Sequence, residues 1–167
     1  IRVSVNHICV FGEVLFDHFP DGMRVLGGAP FNVAWHLKAF GLSPTFISRV
    51  GKDTEGQAIL DAMQKWGMET QGLQIDDQRP TGRVTVEFVD GEPSYDIVRP
   101  SAWDAIEASP VINGCSMLYH GTLALRDGSP GEAETEFRVA LSLEPTSPEA
   151  MGQLFQMYRD RGREVEL

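Results

Sequence analysis

The stretch Gly27–Ala34 reads GGAPFNVA and is the most informative part of the chain, together with Gly41 and with Gly51–Gly56, which reads GKDTEG. Apolar residues recur at helical spacing over Phe31–Phe40 and predict a helix there. Glycine readily adopts the left-handed conformation that follows a helix, so Gly41 marks its end. Gly28 and Gly41 thus lie on either side of the predicted helix.

The segments on either side of this helix have the composition of buried strands. Val5–Phe11 and Thr45–Val50 are rich in apolar and β-branched residues, which is typical of strands covered on both faces of a parallel sheet. The simplest topology is β-α-β with a right-handed crossover. Thr54 and Gln57 have capping-box spacing and predict a second helix, which ends at Gly67.

The middle of the chain changes character. Thr81–Val89 and Tyr95–Val98 resemble strands and are separated by Asp90–Pro93, which has turn chemistry, so they predict a β-hairpin. Ser116–His120 is a short apolar strand that could rejoin the parallel sheet. Residues 121–122 would then lie at its carboxyl end, where open α/β sheets bind ligands. The predicted fold class is therefore α/β.

The last forty residues predict a separate helical unit. After Asp127 the composition shifts to Ala, Glu, Leu and Arg with helical periodicity, so we expect domains at 1–127 and 128–167. The spacing of small, aromatic and proline residues in 128–167 resembles a tetratricopeptide repeat. This predicts a C-terminal helical hairpin. We expect its helices, within 132–161, to cover an apolar face of the sheet or to mediate self-association.

Charge and hydropathy narrow the function. The chain of 167 residues carries a net charge of −10, which argues against nucleic acid or an anionic membrane as the main partner. It contains no apolar run of about 18–20 residues and does not open with a signal peptide, so we expect a cytoplasmic protein. Cys9 and Cys115 lie in apolar runs and are predicted to be reduced core thiols instead of a disulfide or a metal site. The four histidines share no metal-ligand spacing.

Residues 8–121 as a whole resemble the first portion of the ribokinase-like (PfkB) carbohydrate kinases. The pattern Gly27-Gly28-x-Pro30-x-Asn32-x-Ala34, with glycines at 41 and 51, satisfies the first signature of that family without a gap. The fructokinase and 2-keto-3-deoxygluconate kinase branches are the most similar. The resemblance implies a partial ribokinase-like parallel sheet with helices and a small β-hairpin lid, over about 81–99.

The resemblance also implies a sugar site, because sugar hydroxyls are bound by carboxylate, amide and backbone groups that converge in one cleft. Asp17 would accept hydrogen bonds from two adjacent hydroxyls, although a solvated loop aspartate is the alternative. Gly27 and Gly28 would let the sugar approach the backbone, or form a simple turn. Asn32 would contact the sugar, or cap a helix. Arg99 would reach the sugar from the lid, or be an ordinary surface arginine.

The lid of this family covers the sugar and often clasps a second subunit, which implies a homodimer through the lid or through the helical tail. A lid excludes water, which would otherwise compete as phosphoryl acceptor. Asp53 and Gly56 are interpreted as residues that shape the loop before the second helix.

The family also implies ATP and Mg²⁺, but their binding site is not found in these residues. The family's Asp-Thr-x-Gly-Ala-Gly-Asp motif, which carries the catalytic base and the anion hole, does not occur here, and no other phosphate loop replaces it. Three interpretations stay open. The chain is a sugar-kinase portion that cannot catalyse transfer alone, a non-enzymatic interaction protein with a helix pair, or a recombined gene product without a selected activity.

Overall fold

The computed structural model describes residues 7–107, 115–121 and 123–125. Within these ranges, eight strands and two α-helices follow one another: β1 Ile8–Phe11, β2 Leu15–His18, β3 Arg24–Gly27, α1 Ala29–Ala39, β4 Thr45–Gly51, α2 Thr54–Trp66, β5 Leu73–Asp76, β6 Gly82–Val89, β7 Glu92–Ile97 and β8 Met117–His120. Two short 3₁₀ turns lie at Ala102–Ala105 and Leu123–Leu125. The strands form two four-stranded sheets.

The first sheet is parallel and has the order β5-β4-β1-β8. It confirms the predicted β-α-β unit and the return of the strand at 116–120. Strand β5 was not predicted, because Leu73–Asp76 is only four residues long and contains two polar side chains. The predicted α/β class is therefore correct.

Both faces of this sheet are covered, as the apolar strands predict. One face packs on α1 and α2. The strands contribute Val10, Phe46 and Val50, and the helices contribute Phe31, Ala34, Ile59 and Met63. The other face packs on the turn at Ala102–Ala105 and its neighbours: Cys9, Phe11, Ile47, Trp103 and Ile106. Burial of these side chains supplies the main stabilisation of the parallel layer.

The C-terminal ends of both helices agree with the sequence, whereas α1 begins at Ala29, two residues before the predicted Phe31. Gly41 and Gly67 have φ of 81° and 73°, the left-handed values expected after α1 and α2. The predicted capping box at Thr54 is wrong, because Asp53 is the N-cap of α2 and its side chain accepts from the Gly56 N–H. A cap one residue earlier satisfies the same exposed N–H groups.

The second sheet has the order β3-β2-β6-β7 and is larger than the predicted hairpin. The hairpin itself is confirmed: β6 and β7 are antiparallel, and Asp90 and Gly91 have φ of 53° and 84°, as a type I′ turn requires. Leu15–His18 and Arg24–Gly27, for which the sequence predicted no strand, form β2 and β3. We call the four strands the lid sheet.

Cys9 and Cys115 form a disulfide, so the prediction of reduced thiols is wrong for this structure. The sequence places them 106 residues apart, but β1 and β8 are neighbours in the parallel sheet, and the two Cα atoms lie 6.0 Å apart. The predicted domain boundary and the tetratricopeptide-like helices lie outside the described residues. No helix within the described ranges is long and apolar enough to cross a membrane.

Candidate functional site

The lid sheet joins the parallel core at Gly27 and Gly28. Gly27 is the last residue of β3, and Gly28 is the N-cap of α1. Gly28 has a φ of 109°, and a Cβ there would lie 2.6 Å from the carbonyl oxygen of Glu13. Only glycine fits at Gly28, because both the backbone angle and the close approach of the loop after β1 exclude a side chain.

Asp17 lies within β2, with its carboxylate beside Gly27. In the β2–β3 pairing Asp17 is opposite Val25, and Leu15 is opposite Gly27. Asp17 Oδ2 is 3.2 Å from the position that a Cβ on Gly27 would take. Burial raises the pKa of Asp17, and the charge of the neighbouring His18 partly opposes this shift. The carboxyl group is therefore partly desolvated where the lid sheet meets the core.

Asn32 lies in the first turn of α1, on the core side of the same junction. Its backbone N–H donates to the Gly28 carbonyl oxygen at 2.9 Å, so Asn32 is inside the helix. The N-cap is Gly28, and the alternative in which Asn32 caps the helix is wrong. Asn32 is exposed and lies one helical turn after Gly28.

Arg99 lies just after β7, the edge strand of the lid sheet that is farthest from β3. Asp17 pairs with Val84 in β6, and Val84 pairs with Ile97 in β7. Arg99 is exposed and lies two residues beyond Ile97, where the chain leaves β7. The Asp17 carboxylate adjoins Gly27 and the Asn32 N–H donates to Gly28, whereas Arg99 follows β7, which lies two strands from β2 in the lid sheet.

A buried carboxylate that sequence reasoning missed adjoins this junction. Glu13 follows β1 and is 1% exposed. A Cβ on Gly121, the residue after β8, would lie 2.7 Å from Glu13 Oε2, and the Gly121 N–H donates to the Phe11 carbonyl oxygen at 2.9 Å. Glu13 and Gly121 therefore lie at the carboxyl ends of neighbouring parallel strands, the predicted ligand-binding edge. An acidic residue directly after an apolar strand was the available signal.

Asp53 connects the lid sheet to the core, which confirms its structural interpretation. Its Oδ1 accepts hydrogen bonds from the Gly56 N–H at 2.8 Å and from Thr81 Oγ1 at 2.7 Å, and its Oδ2 accepts from the Thr81 N–H at 2.8 Å. Burial opposes ionisation, but these bonds outweigh it and lower the pKa of Asp53. Thr81 directly precedes β6, so this network fixes where the lid hairpin begins.

A second connection runs from the lid sheet to α2. His18 Nε2 lies 2.8 Å from Glu55 Oε1, and the Arg24 guanidinium lies 3.4 Å from the same oxygen. His18 and Arg24 are opposite each other in the β2–β3 pairing. Because side chains alternate along a strand, His18 faces away from the side that carries Asp17. The two faces of β2 therefore have different partners: α2 on one side and the glycine junction on the other.

An open groove of about 230 Å³ also lies on the lid sheet. Its lining comes from β2, the turn after it and β6: His18, Phe19, Pro20, Arg83, Thr85, Val86 and Glu87. None of the five predicted sugar-binding residues lines this groove. The groove is thus separate from the junction of Asp17 and the glycine pair.

A sequence profile of the pfkB family carbohydrate kinases matches residues 5–146. The chain belongs to this family. The match confirms the resemblance inferred from the glycine signature, and it extends beyond the domain boundary expected near residue 127.

Fructokinases are among the similar relatives of this PfkB chain. The Escherichia coli fructokinase is 37% identical over 102 residues, which are 57% of this chain and 33% of the relative. Fructokinase-2 of Oryza sativa is 26% identical over 137 residues, 72% of this chain and 41% of the relative. The chain thus spans about a third to two fifths of the length of these relatives.

Solved structures share the fold of this PfkB chain. A sugar kinase from Pyrococcus horikoshii has a TM-score of 0.73 at 22% identity, covering 92% of this chain and 61% of that one. The same kinase in complex with ATP has a TM-score of 0.71 at 20% identity, covering 95% and 68%. The fructokinase from Vibrio cholerae with bound fructose, ADP and calcium has a TM-score of 0.53 at 26% identity, covering 62% and 36%.

Neither helix N-terminus in the described part of this PfkB chain suits the phosphates of ATP. Helix N-termini are the usual anion sites of such folds, and the described part offers those of α1 and α2. The N-terminus of α2 already carries the Asp53 carboxylate and Glu55 in its first turn, and negative charge there opposes a phosphate. At the N-terminus of α1, Gly28 packs against the Glu13 backbone, and the Asp17 carboxyl group adjoins Gly27.

Proposed function

We propose that this chain is the sugar-recognition portion of a carbohydrate kinase that phosphorylates a keto sugar with ATP. Asp17, Gly27, Gly28, Asn32 and Arg99 are the proposed sugar contacts. One observation carries this proposal: a partly desolvated carboxylate lies beside the glycine pair where the lid sheet joins the core. Asp17 Oδ2 is 3.2 Å from the position that a Cβ on Gly27 would take.

The chemistry of a polyol suits this junction. An ionised carboxylate accepts hydrogen bonds from two adjacent hydroxyls, and an amide both donates and accepts. Asp17 beside Gly27 and Asn32 one helical turn after Gly28 would supply these groups. The lid sheet above the junction would exclude water from the sugar hydroxyl that becomes phosphorylated. Arg99, at the exit of β7, would contact the sugar when the lid closes.

Fructose is the first sugar to test, with 2-keto-3-deoxygluconate as the second. The relatives named above are fructokinases of a bacterium and a plant, and the Vibrio cholerae fructokinase has been solved with fructose. These names describe those proteins, and the 22% identical sugar kinase supports the fold alone.

Phosphoryl transfer needs a base, an anion hole and ATP with Mg²⁺, and the family motif that supplies the first two does not occur in these 167 residues. We therefore propose that this chain binds sugar without turning it over when it is alone. ATP and Mg²⁺ would act at groups outside the described residues. A cytoplasmic location, where ATP and keto sugars are abundant, belongs to the same proposal.

Self-association through the lid sheet is part of this proposal. Four large apolar side chains on β3, β6 and β7 are exposed: Val25, Phe88, Val89 and Tyr95. Phe88 and Tyr95 lie at diagonal positions on one face of the β6–β7 hairpin, and exposed apolar side chains grouped in this way mark interaction surfaces. A second copy that covers them would also shield the sugar site from water.

A non-enzymatic interaction protein is the second candidate, and a different surface favours it. Trp35 and Trp66 stack with ring centroids 5.0 Å apart between α1 and α2, and Trp66, Phe40 and Leu42 are exposed at this end of the helices. Such a surface suits a protein partner, and binding there would not require the sugar junction.

The test of the proposed function is sugar binding, measured by calorimetry and by the shift of the thermal unfolding midpoint with a panel of keto and aldo sugars. We expect one keto sugar to raise the midpoint. Asp17→Ala and Asn32→Ala should abolish this shift with little change in the midpoint without sugar. Asp96→Ala, an exposed aspartate on β7, and Gln64→Ala, on α2, are the matched controls. Binding that survives in both site variants would remove the assignment.

A further inference from the structure

Three potential metal ligands meet at the amino ends of β1 and β8, at the opposite end of the sheet from Glu13 and Gly121. His7 directly precedes β1, Cys9 lies in β1, and Cys115 lies two residues before β8. Their ligand atoms all lie within 4.8 Å of one another. Neither cysteine nor His7 belongs to the candidate sugar site.

The cluster is buried and held in place. Cys9 is fully buried, and Cys115 is 8% exposed. The His7 ring lies 2.8 Å from the Thr45 hydroxyl, as measured from Nε2, which fixes its orientation. The Ser116 N–H donates to the His7 carbonyl oxygen at 2.8 Å, and the His7 N–H donates to the Ser116 hydroxyl at 3.2 Å. The backbones that carry the ligands are thus tied together.

We propose that, once the Cys9–Cys115 disulfide is reduced, His7, Cys9 and Cys115 bind one Zn²⁺ ion. Thiolate and imidazole are the ligands that zinc prefers. Bond lengths of about 2.3 Å to sulfur and 2.0–2.1 Å to nitrogen place two ligands of a tetrahedral zinc about 3.6 Å apart, a spacing within the 4.8 Å that encloses the three ligand atoms here. A water molecule completes the four ligands.

An outer partner supports this set of ligands. A histidine that binds a metal usually uses its second ring nitrogen in a hydrogen bond that fixes the ring. The Thr45 hydroxyl, on the neighbouring strand β4, occupies this role for His7.

The change from the disulfide to the zinc-bound state conserves atoms, electrons and protons. One dithiol reductant gives two electrons and two protons to the Cys9–Cys115 bond, becomes a disulfide itself and leaves two thiols. Zn²⁺ then takes both sulfurs as thiolates and releases two protons, while His7 binds as the neutral imidazole. Disulfide and zinc are mutually exclusive, so the cross-link between β1 and β8 is covalent when oxidised and metal-mediated when reduced.

The test uses the full chain, oxidised and after treatment with a dithiol under native conditions followed by removal of the reductant. We expect the reduced chain to bind one Zn²⁺ by calorimetry and the oxidised chain to bind none. Co²⁺ should give the thiolate charge-transfer absorption of a Cys₂His site. His7→Phe should weaken binding by about tenfold or more, and Cys115→Ala should abolish it. His36→Phe, an exposed histidine of α1, is the matched control.

A measurement on the unmodified chain keeps the test independent of folding defects in the variants. Zn²⁺ should slow alkylation of both thiols in the reduced chain and raise its unfolding midpoint, without either effect on the oxidised chain. The proposal is overturned if the disulfide resists the dithiol under native conditions, if the reduced chain binds no stoichiometric zinc, or if His7→Phe binds zinc as the unmodified chain does.

Discussion

Asp17 Oδ2 lies 3.2 Å from the point where a Cβ on Gly27 would stand, so the lid carboxylate and the first glycine of the signature share one space. Gly27 does not have a positive φ, so its backbone angle alone does not require glycine. The absence of a side chain at Gly27 therefore makes room for the Asp17 carboxylate. Gly28 is instead required by its positive φ and by the close approach of the Glu13 carbonyl oxygen.

This relationship predicts the effect of Gly27→Ala. The added methyl should displace the Asp17 carboxylate by a few tenths of an ångström, weakening sugar binding by about tenfold or more while changing the free energy of unfolding by less than about 1 kcal/mol. Calorimetry with the sugar and urea unfolding measure the two quantities. In a double-mutant cycle measured by urea unfolding, the small stability cost of Gly27→Ala should vanish once Asp17 is Ala, because the carboxylate that the methyl group meets is gone. Equal losses in both backgrounds would contradict the prediction.

A second prediction separates backbone angle from steric contact at Gly28. Both Gly28 and Gly41 have left-handed φ, but a Cβ on Gly28 would lie 2.6 Å from the Glu13 carbonyl oxygen, whereas a Cβ on Gly41 would meet nothing within 4 Å. Gly41→Ala should lower the free energy of unfolding by about 1 kcal/mol, from the angle alone. Gly28→Ala should lower it by about 3 kcal/mol or more, because the contact adds to the angle. Urea unfolding of the two variants measures the difference, and equal losses would show that the junction relaxes.

The parallel core could be predicted from the sequence because its strands are apolar on both faces. Val10 lies in the continuous apolar run Ile8–Phe11, and Ile47 lies in a segment rich in apolar and β-branched residues, which is the composition of strands covered on both faces. The helix ends followed from Gly41 and Gly67, since few residues other than glycine adopt a left-handed angle readily. The glycine signature alone identified the family, and Asp17 and Gly27, which are ten residues apart, indeed meet.

The lid strands β2 and β3 could not be predicted. Each has four residues, and β2 mixes Leu15 with the polar Asp17 and His18, so it shows no period of its own. Pairing with β6, more than sixty residues later, makes it a strand. The disulfide was missed for the same reason, because only the sheet order brings Cys9 beside Cys115.

A third prediction concerns the network of Asp53 and Thr81. Asp53→Ala removes the N-cap of α2 and the acceptor of two Thr81 groups, so the free energy of unfolding should fall by about 1–2 kcal/mol at pH 7. The pKa of Asp53 is lowered in the folded state, so its contribution is present above the unfolded value of about 3.9 and disappears as the pH falls through the folded value. Urea unfolding from pH 7 to pH 3 should show the two proteins converging at low pH. Asp61→Ala, an exposed aspartate within α2, is the control and should follow the unmodified chain.

The contribution of Asp17 to the free energy of unfolding should have the opposite pH dependence. Burial raises its pKa in the folded state, so the folded chain holds the proton more tightly, and ionisation of Asp17 destabilises the fold as the pH rises through that value. Asp17→Asn removes this penalty. We expect it to be at least as stable as the unmodified chain at pH 7 and indistinguishable from it near pH 3, where both states are protonated. The same variant should lose sugar binding, because a neutral amide cannot accept from two hydroxyls as a carboxylate does. A variant less stable at pH 7 would show that the Asp17 carboxylate stabilises the lid, and its place at the junction would then be structural.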